Sequence, residues 1–267
     1  MVALLSLAVP AVAHAGPWAR RAGSTYLRLG GARFEGEGAF LVGENATGGS
    51  FVGYAAEFYG EAGLGRRLEL DASFRFVQNR NERLDGVVMT QTGPEDLELS
   101  LKWSPLAGSS PIAFTLGGRA SFYDRLPAEA LVDGTPQRGP GGFDLLTGAA
   151  WGVSFWPTRA WLGVDVTHRL RFGGSSAGLR IRVEGGGYVV GPLAVAGTVE
   201  FQAAYGREQQ QPVGAPAPVP RVLGVGGKVF AEVVAGFGLS VDATWLVPVF
   251  NDGPGWRLGV SLTFERR

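Results

Sequence analysis

The sequence predicts an all-β chain: a transmembrane, antiparallel, up-and-down β-barrel of about twelve strands. Three observations predict it. Strand-length segments with strict two-residue alternation of apolar and polar side chains recur along the chain, the connections between them alternate between short and long, and an apolar leader precedes the first of them. The last pair shows the alternation most plainly. Leu239, Val241, Ala243, Trp245 and Val247 share one face, with Ser240, Asp242 and Thr244 on the other and Leu246 as an apolar exception there. After an Asn-Asp-Gly-Pro turn, Leu258, Val260, Leu262 and Phe264 oppose Arg257, Gly259, Ser261 and Thr263. Side chains of a strand alternate faces, so each strand has one fatty and one wet side. A sandwich half-packed on a core would use the same pattern. Repeated behind an export signal, it places lipid outside and a polar lumen within.

Met1–Ala15 reads as that signal: an apolar stretch ending in Ala13-His14-Ala15, a small-x-small cleavage site before Gly16. Its basic n-region is missing, so the leader is expected to be truncated at its start. The alternative, a short buried helix or strand, is opposed by Pro10 and by the lack of a helical cap. Residues 16–267 are then a single barrel domain. No run reaches the roughly 18 apolar residues of a spanning helix, but barrels escape that test because only every second residue faces lipid. The 24 basic and 24 acidic residues balance, which argues against a nucleic-acid partner. With no cysteine there is no disulfide framework and no thiolate chemistry.

In order, strands are expected near 24–34, 54–63, 68–77, 96–103, 112–123 and 144–155. The remaining six are expected near 160–172, 179–190, 193–205, 223–234, 239–247 and 257–264. In the third, Leu68, Leu70, Ala72, Phe74 and Phe76 alternate with Glu69, Asp71, Ser73 and Arg75. In the fourth, Leu97, Leu99, Leu101 and Trp103 alternate with Asp96, Glu98, Ser100 and Lys102. In the eighth, Leu179, Ile181 and Val183 oppose Arg180, Arg182 and Glu184. The helical spacing i, i+3, i+4, i+7 matches none of them. Connections 63–67, 104–111, 156–159, 191–192 and 235–238 are short, while 35–53, 78–95, 124–143 and 206–222 are long. Short periplasmic turns and long outer loops are the habit of outer-membrane barrels, and both termini then lie on the periplasmic side. Trp103 and Trp156 at the periplasmic ends, with Phe34, Phe76, Tyr123, Phe172 and Tyr205 towards the outer ends, read as aromatic girdles.

Three segments carry a family likeness: Glu61–Leu70 (EAGLGRRLEL), Pro94–Trp103 (PEDLELSLKW) and Val247–Asn251 (VPVFN) with Gly255-Trp256. They resemble blocks of the transporter-like outer-membrane barrel family labelled "MetA-pathway of phenol degradation". The resemblance covers the whole mature chain. It departs at Glu265-Arg266-Arg267, which follows Phe264 where such barrels commonly end on the aromatic residue. It implies the bacterial outer membrane, outer-membrane lipids and the barrel-assembly machinery as partners, passage of a small, partly apolar organic solute, and no catalytic residues.

The sharpest constellation is basic. If residues 173–178 centre a hairpin between Ser175 and Ser176, Arg171 lies opposite Arg180, Arg169 opposite Arg182 and Thr167 opposite Glu184, all on the lumen face. Like charges directly across a strand pair are destabilising, so these arginines need carboxylates or anionic ligands. They read either as a basic selectivity wall or as a salt-bridge network filling a narrow lumen. An acidic wall is expected from Glu57, Glu61, Glu69, Asp71, Asp96 and Glu98 on strands two to four. The two walls facing each other would set a transverse field.

His168, outward near the outer end of its strand, is the residue that an outer-membrane lipid hydrolase would use. Leu170 and Val166 flank it on that face where a serine nucleophile would be needed. No phosphate loop, metal site or cofactor motif emerges, with scattered carboxylates and only two histidines. Only about ten residues separate the cleavage site from Ser24, too few for a plug domain. The leading expectation is passive passage of a small solute, and its rival is a non-conducting structural or surface-recognition barrel.

Overall fold

The computed structural model describes residues 17–40, 47–83, 85–123, 135–136, 138, 142–172, 177–205, 221–248 and 255–266. The leader and most of the long loops lie outside this set. Twelve strands run in chain order: β1 (Thr25–Phe40), β2 (Thr47–Gly65), β3 (Leu68–Arg83), β4 (Val88–Leu106), β5 (Ile112–Ser121) and β6 (Phe143–Phe155). They continue as β7 (Ala160–Phe172), β8 (Ala177–Val190), β9 (Leu193–Tyr205), β10 (Arg221–Val234), β11 (Phe237–Pro248) and β12 (Gly255–Arg266). Each is antiparallel to its neighbours, and β1 pairs with β12 to close the barrel. Closure leaves the spanning part without a sheet edge, as lipid requires.

The faces follow the alternation. Leu70, Leu99, Leu101, Leu116, Val199, Val241 and Leu262 are exposed on the outside, while Glu61, Glu69, Lys102, Asp144, Ser240 and Ser261 are buried on the inside. An exposed apolar belt around a polar interior is the inverse of a soluble core and marks a membrane-spanning barrel. Phe143 and Phe155 bound the outward face of β6. At a rise of ~3.3 Å per residue and a tilt of ~40°, that span is roughly 30 Å, a hydrocarbon thickness. Ring pairs bound the belt elsewhere: Phe143–Phe172 (centroids 5.6 Å apart) at the outer rim, Trp103–Phe114 (6.2 Å) and Phe237–Phe264 (4.9 Å) at the periplasmic rim.

Two expectations are corrected here. The stretches 35–53 and 78–95 are mostly strand rather than loop, because β1 to β4 run 16 to 19 residues where about 9–11 would span. Their outer parts stand above the lipid. On β1 the outward face turns polar at the Arg33–Glu35 pair, and on β3 at the exposed Arg80–Glu82 pair (3.3 Å). Apolar alternation ends there, which is why it gave no signal for the extension. Phe34 and Tyr123 are not girdle residues. Phe34 turns inward beneath the Arg257 guanidinium (5.6 Å), and the Tyr123 hydroxyl donates to Asp96 (3.0 Å). The Tyr205 side chain lies outside the described set.

Candidate functional site: a charged lumen with a strapped periplasmic mouth

Lumen charges gather in an outer and a periplasmic group. In the outer group β6 presents Asp144, whose side chain is 2% exposed. Arg171 on β7 donates to it through Nε (2.9 Å), Arg119 on β5 donates to the same carboxylate, and Arg169 Nε lies 3.8 Å away. Arg119 also reaches Asp96 (3.4 Å), which accepts from Ser121 (2.7 Å). On β8, Arg182 pairs with Glu184, and Arg180 stands near Thr167 (3.3 Å) and Asp165 (3.8 Å).

The hairpin register behind the expected arginine ladder differs. Thr167 lies opposite Arg180, Asp165 opposite Arg182, and Arg169 opposite Gly178. The shift is even, so every side chain keeps its face. Two arginine–arginine facings give way to a guanidinium opposite a carboxylate and one opposite a hydroxyl, which is the favourable cross-strand choice. Asp144, which gathers three arginines, was not singled out from the sequence. A signal existed: the turn at 156–159 is tight, and counting back from Phe155–Ala160 sets Asp144 opposite Arg171.

The acidic residues are placed on the lumen face as expected but do not form one wall. Glu57 on β2 receives Arg257 of β12 (2.7 Å), and Arg257 also holds Asp242. A bulge in β4 sets both Glu95 and Asp96 inward opposite Arg75, which donates to Glu95 (2.8 Å). Glu98 lies across from Arg119 in register. Glu69 is fully buried against Lys102, with Asp71 at 3.9 Å from the same ammonium. The Tyr59 hydroxyl donates to Glu61 (2.7 Å). Carboxylate oxygens of Glu61, Glu69 and Asp71 converge as metal ligands would, but Lys102 and Arg20 already supply cations there.

Arg20 belongs to a feature no strand pattern encodes. Residues Pro17–Ser24 turn back from β1 into the lumen at its periplasmic end, with Ser24 N and Oγ donating to Arg21 O (3.1 and 2.7 Å). Arg20 N donates to Glu69 (2.6 Å), its guanidinium holds Glu61 and reaches Glu265 (3.2 Å), and it stacks over Tyr26 (4.9 Å). Burial works against the Arg20 charge, but Glu61 and Glu265 more than offset it and hold its pKa above the ordinary value. Ser104 Oγ on β4 donates to Pro17 O (2.7 Å). Pro17 and Trp18 then lie against Gly152 of β6. Among the described residues ahead of β1, Pro17–Ser24 occupies the mouth.

No protein-family model matches the chain, and no curated protein matches it. Among solved structures, an outer membrane channel from Pseudomonas putida F1 superposes with a TM-score of 0.74 at 14% identity, covering 96% of this chain and 100% of that one. The fold is that of an outer-membrane β-barrel. The NanC porin (TM-score 0.57, 8% identity, 89% of this chain and 98% of that one) shares the architecture. So does the translocator domain of the autotransporter NalP from Neisseria meningitidis (0.55, 10% identity, 92% and 89%). At these identities the likeness is one of fold.

Proposed function

We propose that this chain is a passive outer-membrane channel for small, partly apolar organic solutes. The observation that carries the reading is the lumen wall, where aromatic rings stand beside charges. Trp161 and Tyr188 meet edge to face (centroids 6.4 Å apart), with Arg159 over Tyr188 (4.2 Å). Tyr26 and Tyr59 do the same (6.3 Å) beside Glu61. Such a wall offers apolar bodies with polar tips to a ring that carries a hydroxyl or carboxylate. The structural likeness to a protein named as an outer membrane channel supports the reading, as does the resemblance to the "MetA-pathway of phenol degradation" barrels. The same reading takes Gly16 as the first mature residue, outer-membrane lipids as the surroundings, and the barrel-assembly machinery as the inserting partner.

The outer arginines are the candidate ion filter. Arg171 and Arg182 are neutralised by Asp144 and Glu184, whereas Arg169 and Arg180 stand 3.8 Å from their nearest carboxylates. These two therefore bias passage at the outer mouth towards anions. Liposomes carrying the protein should admit benzoate and phenol faster than empty liposomes, with little discrimination among close analogues. Equal permeation for every solute would refute the channel. The rival, a closed structural barrel, is favoured by the occupied periplasmic mouth and would take its place.

A further inference from the structure

We propose that Pro17–Ala22 is a strap latched across the periplasmic mouth, that it forms the narrowest point of the pore, and that Arg20 is its latch. The proposal deepens the channel reading and rests on it for the word pore. Its geometry stands by itself.

The strap begins beneath β1 and β2 and ends against β6. In a closed ring of twelve strands, β6 is nearly opposite β1. Strands ~4.8 Å apart and tilted ~40° enclose a backbone diameter of roughly 24 Å. The turn at Arg21–Ser24 shortens the segment, so Pro17–Ser24 spans a chord of the mouth, and its partners lie in sequence along that chord: Glu61 on β2, Glu69 on β3, Ser104 on β4 and Gly152 on β6.

Two glycines make room for it. A Cβ on Gly63 would collide with the Arg21 carbonyl, and one on Gly152 would stand 2.7 Å from Pro17 Cγ and run into the Trp18 ring. On the lumen face of β5, between Ser104 and Gly152, Ala113 is fully buried. Arg20 is the only charged side chain of the strap directed into the wall, with 8% exposure, since Arg21 is exposed. It ties the strap to β2, β3 and β12 at once. Glu265, which follows Phe264 on β12, is one of the latch's carboxylates.

A solute leaving the lumen must pass the strap or displace it. Displacement breaks the Arg20 bonds to three carboxylates, the one to Glu69 made by its backbone N–H, together with the Ser104–Pro17 bond, and leaves the strand ladders intact. Its size limit and its exit step are thus set by Arg20.

The chain has no cysteine, so Ala113→Cys gives a single reporter under the strap. In the parent background a water-soluble thiol reagent should label it slowly. Arg20→Gln removes the latch charge, and Gly63→Ala evicts the strap by bulk alone. Each should speed labelling by at least about tenfold, the order by which lost charged hydrogen bonds shift a local opening. Conductance should rise in the same two variants. Unchanged labelling in both would overturn the proposal. Faster labelling with an unchanged, measurable conductance would place the constriction elsewhere and overturn it too. Faster labelling with no conductance in any variant would uphold the latch and sink the channel reading instead.

Discussion

Asp144→Asn tests whether the outer arginines are held or free. The carboxylate is 2% exposed and answers to Arg119, Arg169 and Arg171. Neutralising it leaves three guanidinium groups whose remaining carboxylate partner in ion-pair range, among the described residues, is Asp96, 3.4 Å from Arg119, with Glu98 across from Arg119 in register. Breaking a buried ion pair from one side costs about 3–5 kcal/mol. Arg119 and Arg169 are 19% and 28% exposed to the lumen, so screening by water trims this to about 2–3 kcal/mol. Arg180→Gln is the control: its side chain is 44% exposed and 3.8 Å from Asp165, so its loss should cost under about 1 kcal/mol. Urea unfolding in lipid vesicles, followed by heat-modifiable gel migration, reads both. At ~2–3 kcal/mol per molar of urea, Asp144→Asn should lower the midpoint by about 1 M, and Arg180→Gln by under about 0.5 M. Adding Arg171→Gln to Asp144→Asn should restore part of the loss. Equal midpoints for the two single variants would refute the idea that Asp144 organises the outer cluster.

A lysine at the outward positions Leu99 or Val183 should impair folding by about 2–4 kcal/mol near the bilayer midplane and one at Leu70, two residues from the periplasmic rim, by less, while Ser73→Lys on the lumen face is tolerated, as gel migration would show. Ser100 faces the lumen as well, but it is buried against Gly117, so Ser100→Lys should be tolerated less well than Ser73→Lys. Replacing Arg169 and Arg180 together by Gln should move the reversal potential in a salt gradient towards cations, whereas Arg182→Gln alone moves it less. Arg66 and Arg67 form the β2–β3 turn at φ 51° and 65°, a left-handed geometry that costs L-residues about 1 kcal/mol each. Arg66→Asn with Arg67→Gly should therefore raise the unfolding midpoint.

Strand number and facing were legible because lipid and lumen sort side chains at every second residue, as in Leu97–Trp103 and Leu239–Val247. Parity survives errors of register, so Arg169, Arg171, Arg180 and Arg182 lie on the lumen face although their cross-strand partners are not the expected ones. Which residue faces which depends on the hairpin loop, and the sequence Gly173-Gly174-Ser175-Ser176 matches no turn signature that fixes the count. Where the turn is tight, as at 156–159, the pairing of Asp144 with Arg171 was available from counting. The outer halves of β1 to β4 mix polar residues, glycines and scattered apolar ones without strict alternation, as in Gln78–Arg83, so their strand character left no periodic trace. The strap was invisible for another reason. Trp18 and Arg20 belong to no repeat, and what holds them is a set of side chains brought from β2, β3, β4 and β12, with room left by Gly152 of β6, through closure of the barrel. The inward turns of Phe34 and Tyr123 follow from their positions in the alternation, which outranks an aromatic residue's preference for the interface.

The central claim is a membrane-spanning barrel that conducts, and single-channel recording on the purified, heat-modifiable protein tests it most directly. Discrete steps should appear in a planar bilayer, small in the parent chain and larger in Arg20→Gln. A correctly folded protein that inserts and gives no steps, with or without Arg20, would contradict the account.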